Sequence, residues 1–250
     1  SSLVGSEMCI RDRNGKKRRK SNKKLKDNLA DDESRCLAEL NEKHMEFVFF
    51  SADTNQNKEN KEKAREYVMQ LLNSAENECL ICDPYFKKED FEKYIFFMEK
   101  LDVKVRIINS EKQLGNISAP DSEDYLLKLN DCINYYNRKV GREVAECRSL
   151  TKNLSIHDRF IIIDDCGWLI GSSLNEFGNR ASSICKIPQG SLEYMRKNFE
   201  RWWNDTENSE SLDGYIQRKV KLNASPEGKL LKHITHLTRV LNSLKSQLAK

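Results

Sequence analysis

The run Phe160-Ile161-Ile162-Ile163 is apolar at four consecutive positions, and a second run, Trp168-Leu169-Ile170, follows it across Asp164-Asp165-Cys166-Gly167. Apolar, β-branched runs broken by a short polar turn specify a β-hairpin. The first run has His157 and Arg159 at its head and Asp164 at its end; the second leads into Gly171-Ser172-Ser173-Leu174-Asn175. Strand side chains alternate faces, so a strand through this head projects His157 and Arg159 the same way, roughly 7 Å apart. An imidazole and a guanidinium so placed can serve one phosphate, the first as nucleophile and the second as a two-pronged clamp on the oxygens.

These residues resemble the signature of the phospholipase D superfamily: His, any residue, Lys, four residues, Asp, then a Gly-Ser turn with a nearby Asn. The matching positions are His157, Arg159 and Asp164, followed by Gly171, Ser172 and Asn175. Upstream, Cys79-Leu80-Ile81-Cys82-Asp83-Pro84-Tyr85-Phe86 looks like the family's earlier strand and its polar-aromatic turn. The resemblance covers about residues 46–205 and is specific at 155–175. It implies His157, Arg159 and Asp164 as catalytic residues, with Ser172, Asn175, Asp83 and Tyr85 as substrate-binding neighbours and no metal or cofactor. Asp83 also has a purely local reading, because Asp before Pro commonly starts a turn.

The sequence departs from the family pattern in two ways. Arg159 stands where Lys is usual, which keeps the charge but presents a planar fork instead of a point. The carboxylate that orients the catalytic His in the family has no clear counterpart; Glu176 lies near the turn without aligning to it. Family members cleave a phosphodiester in two steps, one His forming a phosphohistidine and a second protonating the leaving oxygen. This chain has one motif, and its other histidines, His44, His233 and His236, sit in helical contexts without a basic residue two positions on. A two-fold homodimer would supply the second imidazole from the same residue of the partner, as would a second motif outside this sequence. The resemblance therefore implies a metal-independent phosphodiesterase, a nuclease in preference to a lipase since no apolar interfacial segment is visible. The alternative is a catalytically silent module on the same fold that binds nucleic acid or a protein.

Charge is unevenly distributed over the 250 residues. Residues 11–26 carry ten Lys or Arg against one Asp, and residues 217–250 eight against one Glu, whereas residues 27–216 carry 25 basic against 36 acidic residues. An acidic body with basic ends is not a broad duplex-binding surface; a grip on nucleic acid would come from the ends or from a local mouth around Arg159, and small phosphodiesters stay open as substrates. Residues 2–13 look like a translated sequencing adapter and are set apart from the fold, as a cloning scar would be. No run of eighteen apolar residues occurs, so no membrane span is expected. The eight cysteines are scattered; Cys79 and Cys82 lie in one strand, where positions three apart face opposite sides, so they read as small core residues in a reducing cytoplasm and not as metal ligands.

Strand and helix signals alternate along the body. Strands are expected near 46–50, 78–83, 103–108, 144–147, the hairpin and 181–187, with helices near 58–74, 88–100, 121–138 and 191–204. The fold class that follows is α/β, a phospholipase D-like mixed β-sheet flanked by helices on both faces. Ligands gather at the carboxyl ends of strands in such sheets, where Asp83 and Tyr85 fall. Arg106, alternating within its strand, reads as solvated. A C-terminal helix opens with Ser225, Pro226 and Glu227, a favourable cap, first turn and dipole partner. Leu230, Ile234, Leu237, Leu241, Leu244 and Leu248 then recur at spacings of 4, 3, 4, 3 and 4, the a/d seam of a coiled coil. The expected organisation is an adapter-like segment at 1–13, a basic tail and weak helix at 14–45, the phospholipase D-like domain at 46–205, and a linker with the C-terminal amphipathic helix at 206–250.

Overall fold

The computed structural model describes residues 47–51, 57–115, 124–151 and 154–248; the expectations for 1–13 and 14–45, including His44, lie outside the described residues. In chain order the elements are β1 (Phe47–Phe50), α1 (Asn57–Asn73), β2 (Glu78–Cys82), α2 (Lys88–Tyr94) with a 3-10 turn (Ile95–Phe97), β3 (Lys104–Ser110), the single turn α3 (Glu111–Leu114), α4 (Tyr125–Val140), β4 (Ala145–Leu150), β5 (Phe160–Ile163), β6 (Cys166–Ile170), β7 (Ser182–Lys186), α5 (Gln189–Asn204), β8 (Ser209–Ser211), α6 (Leu212–Ala224) and α7 (Pro226–Leu248).

The strands form one eight-stranded mixed sheet in the order β1-β7-β6-β5-β2-β3-β4-β8. β2, β3 and β4 are parallel. β5 runs antiparallel to β2, with Cys82 opposite Phe160, and β6 and β7 continue antiparallel. One edge of the sheet thus collects the carboxyl ends of β2, β3, β4 and β6 and the amino end of β5.

Alternation in the central strands assigns their faces. Leu80, Cys82, Ile108, Phe160 and Ile162 join one cluster with Leu192 and Phe199 of α5. Cys79, Ile81, Ile107 and Ile161 are equally buried and face the other side, where α4 packs on β4 and α1 and α4 pack on α2. The sheet is therefore covered on both faces, which is why β5 can be apolar at every position. Burial holds the thiols of Cys79 and Cys82 well above the usual range, as expected of core residues.

Two local readings change. Arg106 is buried: its guanidinium pairs with Glu78 and Glu200 and lies against the rings of Phe199 and Trp203. The two carboxylates offset the cost of removing it from water. Residues 206–225 hold β8 and α6; Leu212, Tyr215 and Lys219 of α6 are buried, with Lys219 Nζ 2.8 Å from Asp124. Asp124 also caps α4 through the N–H groups of Leu126 and Leu127 and accepts from Tyr215 Oη at 2.9 Å.

Candidate active site

The motif residues gather at the sheet edge defined by the end of β2. β2 stops at Cys82 because Asp83 turns the chain: its Oδ1 accepts from Tyr85 N at 3.0 Å, an Asx-turn ahead of Pro84. The Asp83 N–H still donates to Ile108 O of β3, and Ser110 N donates to Pro84 O, so the turn is stitched to the sheet.

Asp83 is 1% exposed. Besides Tyr85 N, its carboxylate accepts from Ser173 Oγ, at 2.9 Å on one oxygen and 2.7 Å on the other, and from Leu174 N at 2.8 Å. Burial raises its pKa; the bonds from Ser173, Leu174 and Tyr85 and the charge of Arg159 pull against that rise. The carboxylate joins the β2 turn to the loop after β6 across 90 residues of sequence. It is engaged from both sides within the protein. The serine that contacts it is Ser173, next to the Ser172 that the family resemblance implies. The Ser172 hydroxyl instead accepts from Ser182 Oγ at 3.0 Å. Asn175 is half-buried on the same loop, and its Oδ1 is shielded from solvent without a hydrogen-bond partner among the described residues.

Residues 155–159 precede the strand, which begins at Phe160. Contacts on either side of His157 hold this segment. Ile156 is buried in the cluster beneath α5, and Arg159 O accepts from Ile170 N at 2.8 Å. Between these anchors the His157 ring is exposed. The simple alternation of a strand does not set the His157–Arg159 relation; the Arg159 side chain folds back, donating from Nη1 to His157 O at 3.1 Å. Its guanidinium carbon sits 5.5 Å from the centre of the Tyr85 ring. Its Nε is shielded and has no partner among the described residues. Contact with an aromatic face and a bond to the main chain hold this guanidinium in one orientation.

Asp164 lies elsewhere. It turns the β5–β6 hairpin with φ 46°, at the opposite edge of the sheet, seven residues from His157 and on the order of 20 Å along the strand. Its carboxylate accepts from Glu76 N at 2.7 Å, Asn77 N at 2.9 Å and Glu78 N at 3.0 Å, where β2 begins. Partial burial raises its pKa, but these backbone bonds outweigh that and hold the carboxyl below the usual range. The structure therefore brings together His157, Arg159, Asp83, Tyr85, Ser172 and Asn175, and leaves Asp164 at the far end. Glu176 is exposed and accepts from Asn179. Among the described residues, no cluster of three His, Cys, Asp or Glu side chains is placed to hold a metal ion.

A family model described as "Cardiolipin synthase, PLD-like domain" matches residues 68–203, which contain every one of these positions. The chain belongs to the phospholipase D-like family. A comparison with curated proteins gave no match. Among solved structures, this phospholipase D-like chain is similar to TrmBL2, an archaeal chromatin protein, at 15% identity and a TM-score of 0.40, covering 75% of this chain and 64% of that one. It therefore spans less than two thirds of that protein's length. It is similar also to NucT from Helicobacter pylori, at 15% identity and a TM-score of 0.44, covering 62% and 93%. Nuc from Salmonella typhimurium, a phospholipase D family member, matches at 18% identity and a TM-score of 0.43, covering 59% and 90%.

Proposed function

We propose that this protein is a metal-independent phosphodiesterase, a nuclease, that works through a phosphohistidine on His157 in a two-fold dimer. The observation that carries the reading is that exposed His157 is tied through its carbonyl to Arg159, which lies over the Tyr85 ring, on the sheet edge where Asp83 locks the Ser173 loop. In this scheme an imidazole nitrogen of His157 attacks phosphorus, and a P–N bond forms as the P–O bond to the leaving group breaks. The partner's His157, protonated, gives its proton to the leaving oxygen. Water then attacks phosphorus and loses a proton to that second imidazole; the P–N bond breaks and a phosphomonoester departs. Arg159 holds the non-bridging oxygens as charge builds on them. Asn175 and Ser172 border the phosphate, Tyr85 orients Arg159, and Asp83 and Asp164 position the frame, the first beneath the site and the second at the far hairpin. A polyanionic substrate suits the cationic stretches near both ends of the chain, including Lys16-Lys17-Arg18-Arg19-Lys20.

A second reading draws on one observation: no carboxylate among the described residues hydrogen-bonds His157. A silent phosphate-binding module would not need that orienting group. His157→Ala separates the two. The active reading expects the unaltered protein to cleave DNA, RNA or a chromogenic phosphodiester with EDTA present, and His157→Ala to lose at least a thousandfold while folding normally. Binding of single-stranded DNA without cleavage by the unaltered protein would support the silent module instead.

A further inference from the structure

The apolar seam of α7 is bare. Leu230, Ile234, Leu237, Leu241 and Leu244 are between 50% and 65% exposed, and Leu231 and Val240 widen the same face. Single exposed leucines are ordinary, but a contiguous stripe this long marks an interaction surface. We infer that α7 pairs along this seam with α7 of a second copy of the same chain, and that this pairing makes the dimer.

The choice of occupant follows from pattern, charge and position. The 4-3-4-3 spacing places Leu230, Leu237 and Leu244 at one core position of a heptad and Ile234 and Leu241 at the other, so the seam is complementary to itself. Of the heptad positions flanking the seam, Lys245 alone is a Lys, Arg, Asp or Glu; Lys229, Lys232 and Arg239 fall at outer positions of the repeat. Two copies can therefore meet without opposing like charges, and no acidic partner is specified. A helix of 23 residues is about 34 Å long. Its apolar face, doubled, would withdraw on the order of 1,000 Å² from water, at the low end of specific interfaces. The dimer should accordingly be reversible and dependent on concentration.

The helix is also rigidly rooted. Ser225 Oγ accepts from Gly228 N at 3.0 Å and donates to Leu222 O at 2.8 Å, linking the end of α6 to the start of α7. Gly228 packs against the Leu222 carbonyl so closely that a Cβ would not fit. α6 itself is tied by Arg218 to Glu111, which directly follows β3, and by Lys219 to Asp124. The junction therefore lies at the sheet edge that carries His157, and a pair formed there would join two such edges. That consequence rests on the two-copy reading of catalysis; the pairing itself does not.

Sedimentation equilibrium of the full 29.2 kDa chain and of Leu237→Asp/Leu241→Asp tests it. Both side chains are more than half exposed, so the variant should keep its fold and thermal midpoint by circular dichroism. The expected result is twice the monomer mass for the unaltered protein and at least a hundredfold weaker association for the variant. Equal association of both proteins, or a monomeric unaltered chain, would overturn the inference. So would a monomer that co-floats with phosphatidylserine vesicles through the same leucines, since the occupant would then be a lipid surface. His157→Ala must still dimerise. A helix-paired dimer without cleavage would defeat the catalytic proposal alone.

Discussion

Asp164 allows the motif's structural part to be separated from its chemical part. Its two oxygens accept three backbone N–H groups at the start of β2, and Arg196 Nη2 donates to its carbonyl. Asparagine keeps the shape and tolerates the left-handed φ of 46°, but it replaces one acceptor oxygen with a donor. With its oxygen at the Oδ1 position, Asn77 and Glu78 keep their bonds and Glu76 N faces an NH2 group. A charge-assisted bond contributes about 1.5–3 kcal/mol when buried. These are partly open to water, so Asp164→Asn should cost about 1–2 kcal/mol. Asp164→Ala loses all three bonds and puts at φ 46° a residue that tolerates the left-handed region less well than Asp or Asn, for about 3–4 kcal/mol. Urea titrations should return these losses with an unchanged slope. Because the carboxylate is on the order of 20 Å from His157, kcat/KM per folded molecule should stay within about threefold. A tenfold fall, about 1.4 kcal/mol of transition-state stabilisation, with stability intact, would refute the placement of Asp164 as a remote anchor.

Ser173→Ala removes the hydroxyl that donates to both Asp83 oxygens while leaving the Leu174 and Tyr85 N–H bonds. It should cost about 1–2 kcal/mol in urea unfolding and lower diester cleavage by loosening the loop that carries Asn175; an unchanged protein on both measures contradicts the positioning role. Asp90 is buried, and burial first, then the charge of Asp83, lifts its carboxyl to about 7 against the pull of the Lys87 N–H bond. A raised carboxyl keeps its proton in the folded state after the unfolded chain has lost it. Its contribution is present below the unfolded pKa and disappears as pH rises from about 4 to about 7, by up to about 1.4 kcal/mol per unit. Thermal scans across that range should show the decline in the unaltered protein and a flatter profile in Asp90→Asn; identical profiles would show that Asp90 titrates as an ordinary carboxyl.

Much of this architecture could be read in the sequence because its signals are local. The β5–β6 hairpin is announced by two apolar runs and a polar turn, and the end of β2 by Asp83-Pro84. What escaped depends on partners far apart in the chain. Arg106 reads as solvated in the sequence because Glu200 is 94 residues away, and the anchoring of Asp164 is hidden there because the amides it caps are 86–88 residues upstream. Helix α6 has a readable spacing in Leu212, Tyr215 and Lys219, hidden by a lysine that pairs with Asp124 in the interior. Ser172 and Ser173 are indistinguishable by composition; the side each faces is fixed by Asp83 across the sheet edge. His157 was expected in a strand, yet it sits ahead of β5, held by Ile156 and Arg159 on either side.

The most direct test is to quench turnover of a phosphodiester at alkaline pH, where phosphoramidates survive, and map the adduct by peptide mass spectrometry. The account predicts a phosphorus adduct on His157, absent in His157→Ala and formed equally with chelator present. Cleavage that proceeds with no adduct on His157, or that stops when metal is removed, would contradict it.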